Sequence, residues 1–301
     1  MTDQTRRAAT VRTVLDWYAT HRRDLPWRAD DRTPWGVLVS EVMLQQTPVA
    51  RVLPVWLAWM ERWPEPADLA AEPSSAAVAA WGRLGYPRRA LRLHAAAVAI
   101  TESHGGVVPH DADDLLALPG VGEYTAAAVG AFAFGHTTVV LDTNVRRVLT
   151  RLENGQEFPA DHLTRAERDQ AAAWAEAAAS LGSAPTWAVA SMELGALVCT
   201  ARTPDCDQCP VSQLEGSPAH CAWLAAGRPA HAGKPRRGQA WQGTDRQCRG
   251  VIMAALRETP RPLTEDELTA GWPRDRAQAQ RCLASLLAEG LIHETRTGYV
   301  L

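Results

Sequence analysis

The chain has 301 residues, of which 46% are hydrophobic, with a formal net charge of −3 and a pI near 6.3. This length and composition are sufficient for two or three domains with buried cores. The near-neutral charge gives no sign of a nucleic-acid partner at the level of the whole chain. The N-terminus is polar and no run of about eighteen apolar residues occurs, so we expect no membrane contact, no signal peptide and a cytoplasmic location.

Apolar residues recur at helical spacing along most of the chain, and alternating strand patterns are scarce before residue 290. The sequence therefore predicts a mostly α-helical protein. In the first 200 residues, helices are predicted at residues 7–22, 35–44, 49–62, 75–81, 89–101, 113–117, 124–134, 165–181 and 186–198.

The last part of the chain begins with residues 227–243, which are rich in proline and glycine and predict a linker. Three short helices and a hairpin are predicted after it, at residues 246–257, 264–270, 274–289 and 291–301. Three helices closed by a hairpin are typical of a winged-helix module, here of roughly 55 residues.

Basic residues are concentrated around this linker. Residues 228–261 contain two acidic residues, Asp245 and Glu258. The same residues include eight basic ones, which are Arg228, Lys234, Arg236, Arg237, Arg246, Arg249, Arg257 and Arg261. The segment fits either a nucleic-acid contact or a solvated linker. For the module that follows, we expect contacts with phosphates rather than base edges, or else a purely stabilising role.

Residues 118–125 read L-P-G-V-G-E-Y-T, the pattern of a helix-hairpin-helix turn. Gly120 and Gly122 are expected to allow a tight turn, after which a helix begins with its free N–H groups pointing outward. Such a nest binds a phosphate oxygen and so holds a nucleic-acid backbone without reading its sequence. The apolar residues 126–135 predict a buried helix, which places Asp142 about twenty residues after the turn. An acid near a bound backbone suggests chemistry on a nucleotide.

Four of the six cysteines form a cluster in the sequence. Six, two and eleven residues separate Cys199, Cys206, Cys209 and Cys221. In a cytoplasmic protein, such a cluster favours a metal site over disulfides. Four thiolates suit either one zinc ion or a 4Fe–4S cluster, and the spacing leaves both open.

Together, the hairpin, the trailing Asp142 and the cysteine cluster resemble the endonuclease III superfamily of DNA glycosylases. Three further motifs resemble the adenine DNA glycosylase, or MutY, family: L-P-W-R at residues 25–28, S-E-V-M-L-Q-Q-T at 40–47 and L-G-Y at 84–86. The resemblance covers about residues 7–225. Its motifs are specific in combination.

This resemblance implies the helix-hairpin-helix DNA glycosylase fold. Residues 31–137 would form a six-helix barrel, and residues 1–30 and 138–226 an iron–sulfur module with a 4Fe–4S cluster. Residues 227–245 would be the basic linker and residues 246–301 the winged-helix-like module. The implied activity is monofunctional hydrolysis of the N-glycosidic bond of adenine mispaired with 8-oxoguanine or guanine. The implied partner is double-stranded DNA, in base excision repair by a monomeric enzyme.

The chemistry of this reaction fits two carboxyls. An N-glycosidic bond in a duplex is reached only when the base is flipped out, and one acid must protonate the adenine while a carboxylate faces the cation-like sugar. By the resemblance, Glu41 is the acid that later activates water, and Asp142 stabilises or captures the sugar cation. Glu41 lies in an apolar segment, where burial would keep it protonated. The structural alternative for Asp142 is an N-cap ahead of Val145, which is compatible with catalysis.

Other roles are implied by the resemblance alone. Tyr124 and Asn144 match residues that hydrogen-bond the catalytic carboxylates and the water. The remaining implied sites are an adenine pocket of Trp27, Arg28 and Glu193; DNA contacts at Gln46, Thr47, Tyr86, Leu118, Gly120, Gly122 and Arg202; and cluster ligands at Cys199, Cys206, Cys209 and Cys221. Of the DNA contacts, Gln46 and Tyr86 match the wedge that fills the base stack.

The sequence departs from the family pattern at two points. Eleven residues separate Cys209 from Cys221, where the family usually has about five, although a surface loop can absorb the difference at little entropic cost. Many members also end in a larger domain that reads 8-oxoguanine. The degree of preference for 8-oxoguanine over guanine is therefore left open.

Two alternative functions fit parts of the sequence. A bifunctional lyase of the endonuclease III type has a catalytic lysine where this chain has Tyr124, and the chain's single lysine is Lys234. A winged-helix DNA-binding regulator with an iron–sulfur cluster would explain the cysteines and the basic linker. It would not explain Glu41, Asp142 or the hairpin.

Overall fold

The computed structural model describes residues 2–215, 220–231, 233 and 241–301. The chain is mostly helical, as predicted, with one small antiparallel hairpin near its end. No helix in the described ranges is long and apolar enough to cross a membrane. Part of the predicted basic segment, including Lys234, Arg236 and Arg237, lies outside the described residues.

The chain folds into two compact units. The first unit comprises Met1–Val37, His110–Leu116 and Val121–Lys234. Its helices are α1 (Asp3–His21), α8 (Glu123–Phe134), α9 (Thr143–Leu149), α10 (Arg165–Ala179), α11 (Ala184–Leu197) and α12 (Ala222–Ala225). Two further helices, α2 (Pro34–Leu44) and α7 (Ala112–Ala117), contain points where the chain passes between the units.

The core of the first unit forms where α1, α10 and α11 pack together. Trp174 of α10 and Trp187 of α11 are both buried and stack with their ring centroids 5.3 Å apart. Val11, Val14 and Tyr18 provide the apolar face of α1, at the helical spacing that predicted this element. This packing fixes α11, which carries residues of the candidate site.

The second unit comprises Leu38–Pro109, Ala117–Gly120 and Pro235–Leu301. Its remaining elements are α3 (Val49–Arg62), α4 (Pro66–Ala70), α5 (Ser74–Ala80), α6 (Arg88–Ser103), α13 (Asp245–Glu258), α14 (Glu265–Ala270), α15 (Arg276–Ala288), β1 (His293–Thr295) and β2 (Gly298–Val300). Trp59, Trp63 and Trp81 are buried, with Trp59 edge-on to each of the others at 4.8 and 5.6 Å. These aromatic contacts fill the space between the helices.

Residues 241–301, which we call the C-terminal module, contain the predicted three helices and hairpin. In the hairpin, His293 pairs with Val300 and Thr295 with Gly298. Leu263 forms an isolated bridge with Tyr299, which joins the strand pair to the segment before α14. Gly298 has φ +142°, and a Cβ there would lie 2.5 Å from the Leu263 carbonyl oxygen, so this close approach requires glycine.

Helix bounds agree with the predictions to within a few residues, and α3 agrees at both ends. The sequence analysis missed α4, α9 and α12, which have five, seven and four residues. Helices of one or two turns give few repeats of a hydrophobic period, although α5, α7 and α14 are as short and were predicted. The proposed division into a barrel, a cluster module and a linker remains a prediction.

Candidate active site and iron–sulfur centre

The predicted hairpin lies between α7 and α8. Gly120 has φ +80°, and a Cβ there would lie 2.7 Å from the Cβ of Arg92, so this position requires glycine on both grounds. Gly122 has φ −103° and is the N-cap of α8, so its backbone conformation does not itself require glycine. Leu118 is buried, so it would offer DNA its backbone rather than its side chain.

Glu41 lies in α2 within the second unit and is buried, as the apolar segment around it predicted. The neighbouring Ser40 and Val42 are also buried. An acid in such surroundings is shielded from bulk water. This shielding suits a group that must deliver a proton to a base.

Two exposed residues of the same unit have left-handed backbones. Gln46 has φ +56° and Tyr86 has φ +49°, and 41% of the Tyr86 surface is exposed. Residues other than glycine rarely adopt a positive φ, and such a backbone persists only where neighbouring contacts hold it. Both of these residues match the predicted DNA-contacting wedge.

The buried guanidinium of Arg89 enforces this arrangement. Its Nη1 donates to the carbonyl oxygens of Val42, Met43 and Gln45 at 2.9, 3.0 and 2.7 Å. Its Nη2 donates to the Gly85 carbonyl and to Thr47 Oγ1, both at 3.0 Å. Arg89 thereby satisfies the last carbonyls of α2 and joins the loop that carries Gln46 to the loop that carries Tyr86.

Burial lowers the pKa of Arg89 to about 10. The guanidinium nevertheless stays charged at neutral pH. Thr47, predicted as a DNA contact, is instead buried as an acceptor for Arg89. Its role in this structure is to hold the loop.

Asp142 is the N-cap of α9 in the first unit, as the structural alternative expected. Its Oδ1 accepts a 2.6 Å hydrogen bond from the Val145 backbone N–H, and its Oδ2 accepts a 2.7 Å bond from Asn144 Nδ2. Burial raises the pKa of Asp142, while these hydrogen bonds and the charge of Arg147 oppose that shift. Both carboxylate oxygens are therefore held in fixed directions. Tyr124 is partly buried and packs against a hydrophobic cluster that includes Val140.

Arg147 extends this network to the cysteine segment. Its Nη2 donates to Asn144 Oδ1 at 2.8 Å and to the Gly195 carbonyl at 2.6 Å, and its Nε donates to the Cys199 carbonyl at 2.8 Å. A Cβ on Gly195 would lie 2.8 Å from the Cβ of Asn144, so only glycine allows α9 and α11 to approach this closely. Asp142 is thus connected to Cys199 through two side chains.

Glu193 of α11 is fully buried in the first unit and paired with two arginines. Arg23 donates to it from its backbone N–H, Nε and Nη2 at 2.9, 2.8 and 2.6 Å, and Arg28 Nη1 lies 3.0 Å from Glu193 Oε2. Burial alone would raise the pKa of Glu193, but the bonds from Arg23 and the charge of Arg28 outweigh it and lower the pKa to about 2. Trp27, beside Arg28, is buried. The predicted pocket residues therefore include an ionised carboxylate that already has two partners.

All six cysteines are free thiols, and the four predicted ligands line one cavity of the first unit. Burial raises the pKa of the Cys209 thiol to about 12 and also raises that of Cys221. Buried thiols of this kind gain from coordination by a metal, which holds them as thiolates. In the described ranges, no three metal-binding side chains converge as they would around a single ion. Four cysteines around one cavity fit a 4Fe–4S cluster, in which each cysteine binds a different iron.

Polar contacts surround these cysteines. Arg151 is buried, and its Nη1 donates to Cys199 Sγ at 3.2 Å and to the Thr200 carbonyl at 2.8 Å. Before Cys221, the buried His220 shares a 3.2 Å hydrogen bond with Thr10 of α1. That bond anchors the end of the long cysteine loop. The predicted phosphate contact Arg202 is exposed between the first two cysteines.

Sequence reasoning missed the arginines that organise these sites, together with Gly195. Arg23, Arg89, Arg147 and Arg151 each bind groups far away in the sequence. Nearly all of the 31 basic residues are arginines, so composition offered no means of distinguishing these four.

The comparisons with known proteins agree with this geometry. Residues 39–173 match the HhH-GPD superfamily of base excision DNA repair proteins, and residues 199–214 match the iron–sulfur binding domain of endonuclease III. An adenine DNA glycosylase of Mycobacterium tuberculosis is 48% identical over 294 residues, which cover 95% of this chain and 90% of that protein. The chain belongs to the adenine DNA glycosylase family. The predicted family, fold class, 4Fe–4S cofactor and DNA partner are confirmed.

Other relatives match different shares of the chain. The Mycolicibacterium smegmatis adenine DNA glycosylase is 49% identical over 286 residues, covering 95% of this chain and 93% of that protein. The human adenine DNA glycosylase is 41% identical over 209 residues, covering 67% of this chain and 38% of that protein. The mycobacterial matches are long enough to include most of the C-terminal module. The module is therefore a feature that this chain shares with those relatives.

Solved structures show the same fold. A thermostable thymine-DNA glycosylase has a TM-score of 0.62 and 27% identity, covering 74% of this chain and 98% of that chain. An endonuclease III trapped with DNA has a TM-score of 0.59 and 22% identity, covering 76% of this chain and all of that chain.

The Glu193 ion pairs should stabilise the first unit. Because the folded pKa of about 2 lies below the ordinary value of 4.5, their contribution is complete above pH 4.5 and is lost as the pH falls towards 2. Glu193→Gln at pH 7 should therefore lower the free energy of unfolding by on the order of 3 kcal/mol, measured by urea denaturation. Asp169→Asn, which removes an exposed pair with Arg165, is the control and should cost less than about 1 kcal/mol. Equal losses would contradict a special role for the buried pairs.

The cluster should depend on Cys221. The purified protein should be brown, with broad absorption near about 400 nm from thiolate-bound iron. Cys221→Ser should reduce this absorption and the iron content, and should weaken DNA binding more than the rate on bound substrate. Cys282→Ser, at a buried thiol of the C-terminal module, is the matched control and should keep both. A colourless parent protein with one zinc would contradict the assignment.

Proposed function

We propose that the chain hydrolyses the N-glycosidic bond of adenine mispaired with 8-oxoguanine or guanine in double-stranded DNA, and does so without cutting the strand. The observation that carries this proposal is the paired acceptor geometry of Asp142, whose two oxygens are fixed by Val145 and Asn144. The names of the mycobacterial and human relatives support adenine as the leaving base. We further propose that the enzyme acts as a cytoplasmic monomer.

In this proposal, the hairpin around Gly120 holds the DNA backbone, and Gln46 and Tyr86 enter the base stack as the adenine leaves it. A planar aromatic ring is suited to this because it replaces part of the lost base stacking. Arg202 contacts a phosphate from the loop between the first two cysteines. Trp27, Arg28 and Glu193 form the pocket for the flipped adenine.

Bond cleavage then uses the two carboxyls. Glu41 donates its proton to adenine N7 as the bond from N9 to the sugar C1′ breaks and its electron pair passes to the base. Asp142 faces the positive charge that develops on the sugar, with Asn144 and Tyr124 as partners of the carboxylates and the water. Glu41, now ionised, takes a proton from that water as the water oxygen forms a bond to C1′. The products are free adenine and an abasic site.

An iron–sulfur cluster bound by the four cysteine thiolates would hold the cysteine segment in place and would take no part in this chemistry. Cys199, Cys206, Cys209 and Cys221 would hold it. These cysteines fix the loop that carries Arg202. Arg147 donates hydrogen bonds to both the Cys199 carbonyl and the Asn144 side chain, so the position of Asn144 is fixed together with that of the loop.

The two carboxyls can be tested separately. Glu41→Gln and Asp142→Asn should each leave folding and DNA affinity nearly intact, because both replacements keep the shape of the side chain and Asn can still cap α9. Single-turnover adenine excision should fall by on the order of 10² to 10⁴. Glu61→Gln, at an exposed glutamate of α3, is the control. A variant within about tenfold of the parent rate would remove that carboxyl from the mechanism.

The monofunctional assignment predicts little covalent trapping of DNA by borohydride, with strand nicking only after alkali is added. The reason is that a Schiff base needs an amine near the sugar, and Tyr124 occupies the lysine position of a lyase. Because Lys234 is the single lysine of the chain, Lys234→Arg gives a lysine-free control. Efficient trapping by the parent that maps to a residue near Tyr124 would instead favour the lyase.

A further inference from the structure

Tyr86 is contacted by a residue of the C-terminal module. The guanidinium carbon of Arg246, in the first turn of α13, lies 4.7 Å from the centre of the Tyr86 ring. The same carbon lies 5.4 Å from the centre of the Trp241 ring. Among the Phe, Tyr and Trp side chains of the described residues, Tyr86 and Trp241 are the exposed ones, at 41% and 52%. One arginine therefore contacts both of these exposed rings.

A second arginine contacts Tyr86 from its own helix. Arg89 of α6 has its guanidinium carbon 5.6 Å from the Tyr86 ring centre and 5.1 Å from that of the buried Trp81. The series Trp241, Arg246, Tyr86, Arg89 and Trp81 thus alternates rings with cations from the C-terminal module to the core of the second unit. Cations attract the negative faces of aromatic rings, so each step of this series is favourable.

The C-terminal module also contacts both ends of the segment that carries Tyr86. Glu258 of α13 pairs with Arg83 at 3.3 Å, and Glu289 lies 3.7 Å from Arg88. Glu289 is itself fixed by Arg249, whose Nη1 and Nη2 donate to its two oxygens at 2.9 and 2.7 Å. The module therefore contacts residues on both sides of Tyr86 as well as its ring.

The module places charges of both signs at this loop. Glu258 and Glu289 lie beside Arg83 and Arg88, while Arg246 lies over the Tyr86 ring. At the same time, Tyr86 has a left-handed backbone that must be held by its surroundings. A ring held in place before DNA arrives loses less conformational freedom when it inserts.

We propose that Arg246 is a positioning residue for Tyr86, through which the C-terminal module holds the ring ready to enter the base stack. This inference rests on the proposed function for the identity of the substrate and for the wedge role of Tyr86. In this proposal the C-terminal module orders the Tyr86 ring. The sequence had instead led us to expect that the module contacts phosphates. The outer ring, Trp241, keeps the Arg246 guanidinium over Tyr86.

The test uses the full-length, cluster-loaded protein and compares Arg246→Gln with Arg261→Gln. Arg261 is an exposed arginine of the same module that pairs with Glu267 at 2.6 Å, so the control removes the same charge away from Tyr86. Each substitution is made in the parent and in a Tyr86→Ala background. Binding is measured to a duplex with one A:8-oxoguanine pair and 2-aminopurine next to it, whose fluorescence rises when the stack opens.

For Arg246→Gln we expect a three- to tenfold lower single-turnover excision rate at saturating enzyme and a smaller fluorescence rise. In the Tyr86→Ala background, Arg246→Gln should have no further effect, because the residue it positions is gone. Arg261→Gln should match the parent. The slope of log affinity against log salt should stay unchanged, whereas loss of a phosphate contact would reduce it by about one.

Three results would overturn the proposal. Equal losses with and without Tyr86 would show that Arg246 acts independently of the ring, and a salt slope reduced by about one would make it a phosphate contact. A parent-like fluorescence rise in Arg246→Gln would show that the wedge needs no positioning. If Arg246→Gln unfolds the module, Trp241→Ala serves instead, because it removes the outer ring without changing α13 and should show the same dependence on Tyr86. Failure of the parent to release adenine would reject the proposed function, while the fluorescence would still report on positioning.

Discussion

One buried guanidinium, that of Arg147, connects the Asp142 carboxylate of the first unit to the segment that begins at Cys199. It bonds to the Asn144 side chain, which holds Asp142, and to the carbonyl of Cys199. Since a buried carbonyl that loses its donor costs about 1–3 kcal/mol, this arrangement has few alternatives of similar energy. The direction of the Asp142 oxygens and the path of the first cysteine segment are therefore set together. The missing Cβ of Gly195 provides the space in which this occurs.

Arg89 has a similar role in the second unit, where it donates to five oxygen acceptors from one planar group. Lysine could not replace it, because an ammonium has three donors and no flat face to lie against Trp81. Both sites thus depend on arginines that bind backbone carbonyls from several segments. Buried Arg89 holds the loops of Gln46 and Tyr86, the exposed residues proposed to contact DNA. This explains how Tyr86 can keep an unfavourable backbone conformation at the surface.

The fold and the chemical groups could be predicted further than the contacts between them. Hydrophobic period was sufficient to place α3, and the apolar run at residues 126–135 indicated α8. A capping residue three positions before Val145 identified the structural role of Asp142. By contrast, Arg23 meets Glu193 across 170 positions of sequence, and no local pattern encodes such a pairing. The backbone strain at Tyr86 was equally hidden, since it arises from tertiary contacts rather than from the residue's own preference.

The anchored loop before Cys221 has a consequence for how such proteins are recognised. Val211 and His220 are both buried, so the two ends of the Cys209–Cys221 interval are each fixed by their own contacts, whatever the number of residues between them. Sequence spacing is then a poor guide to the fourth cysteine. The iron–sulfur match itself stops at residue 214, seven positions before Cys221. A motif with a fixed interval between the third and fourth cysteines would therefore miss Cys221, although the first three cysteines are matched.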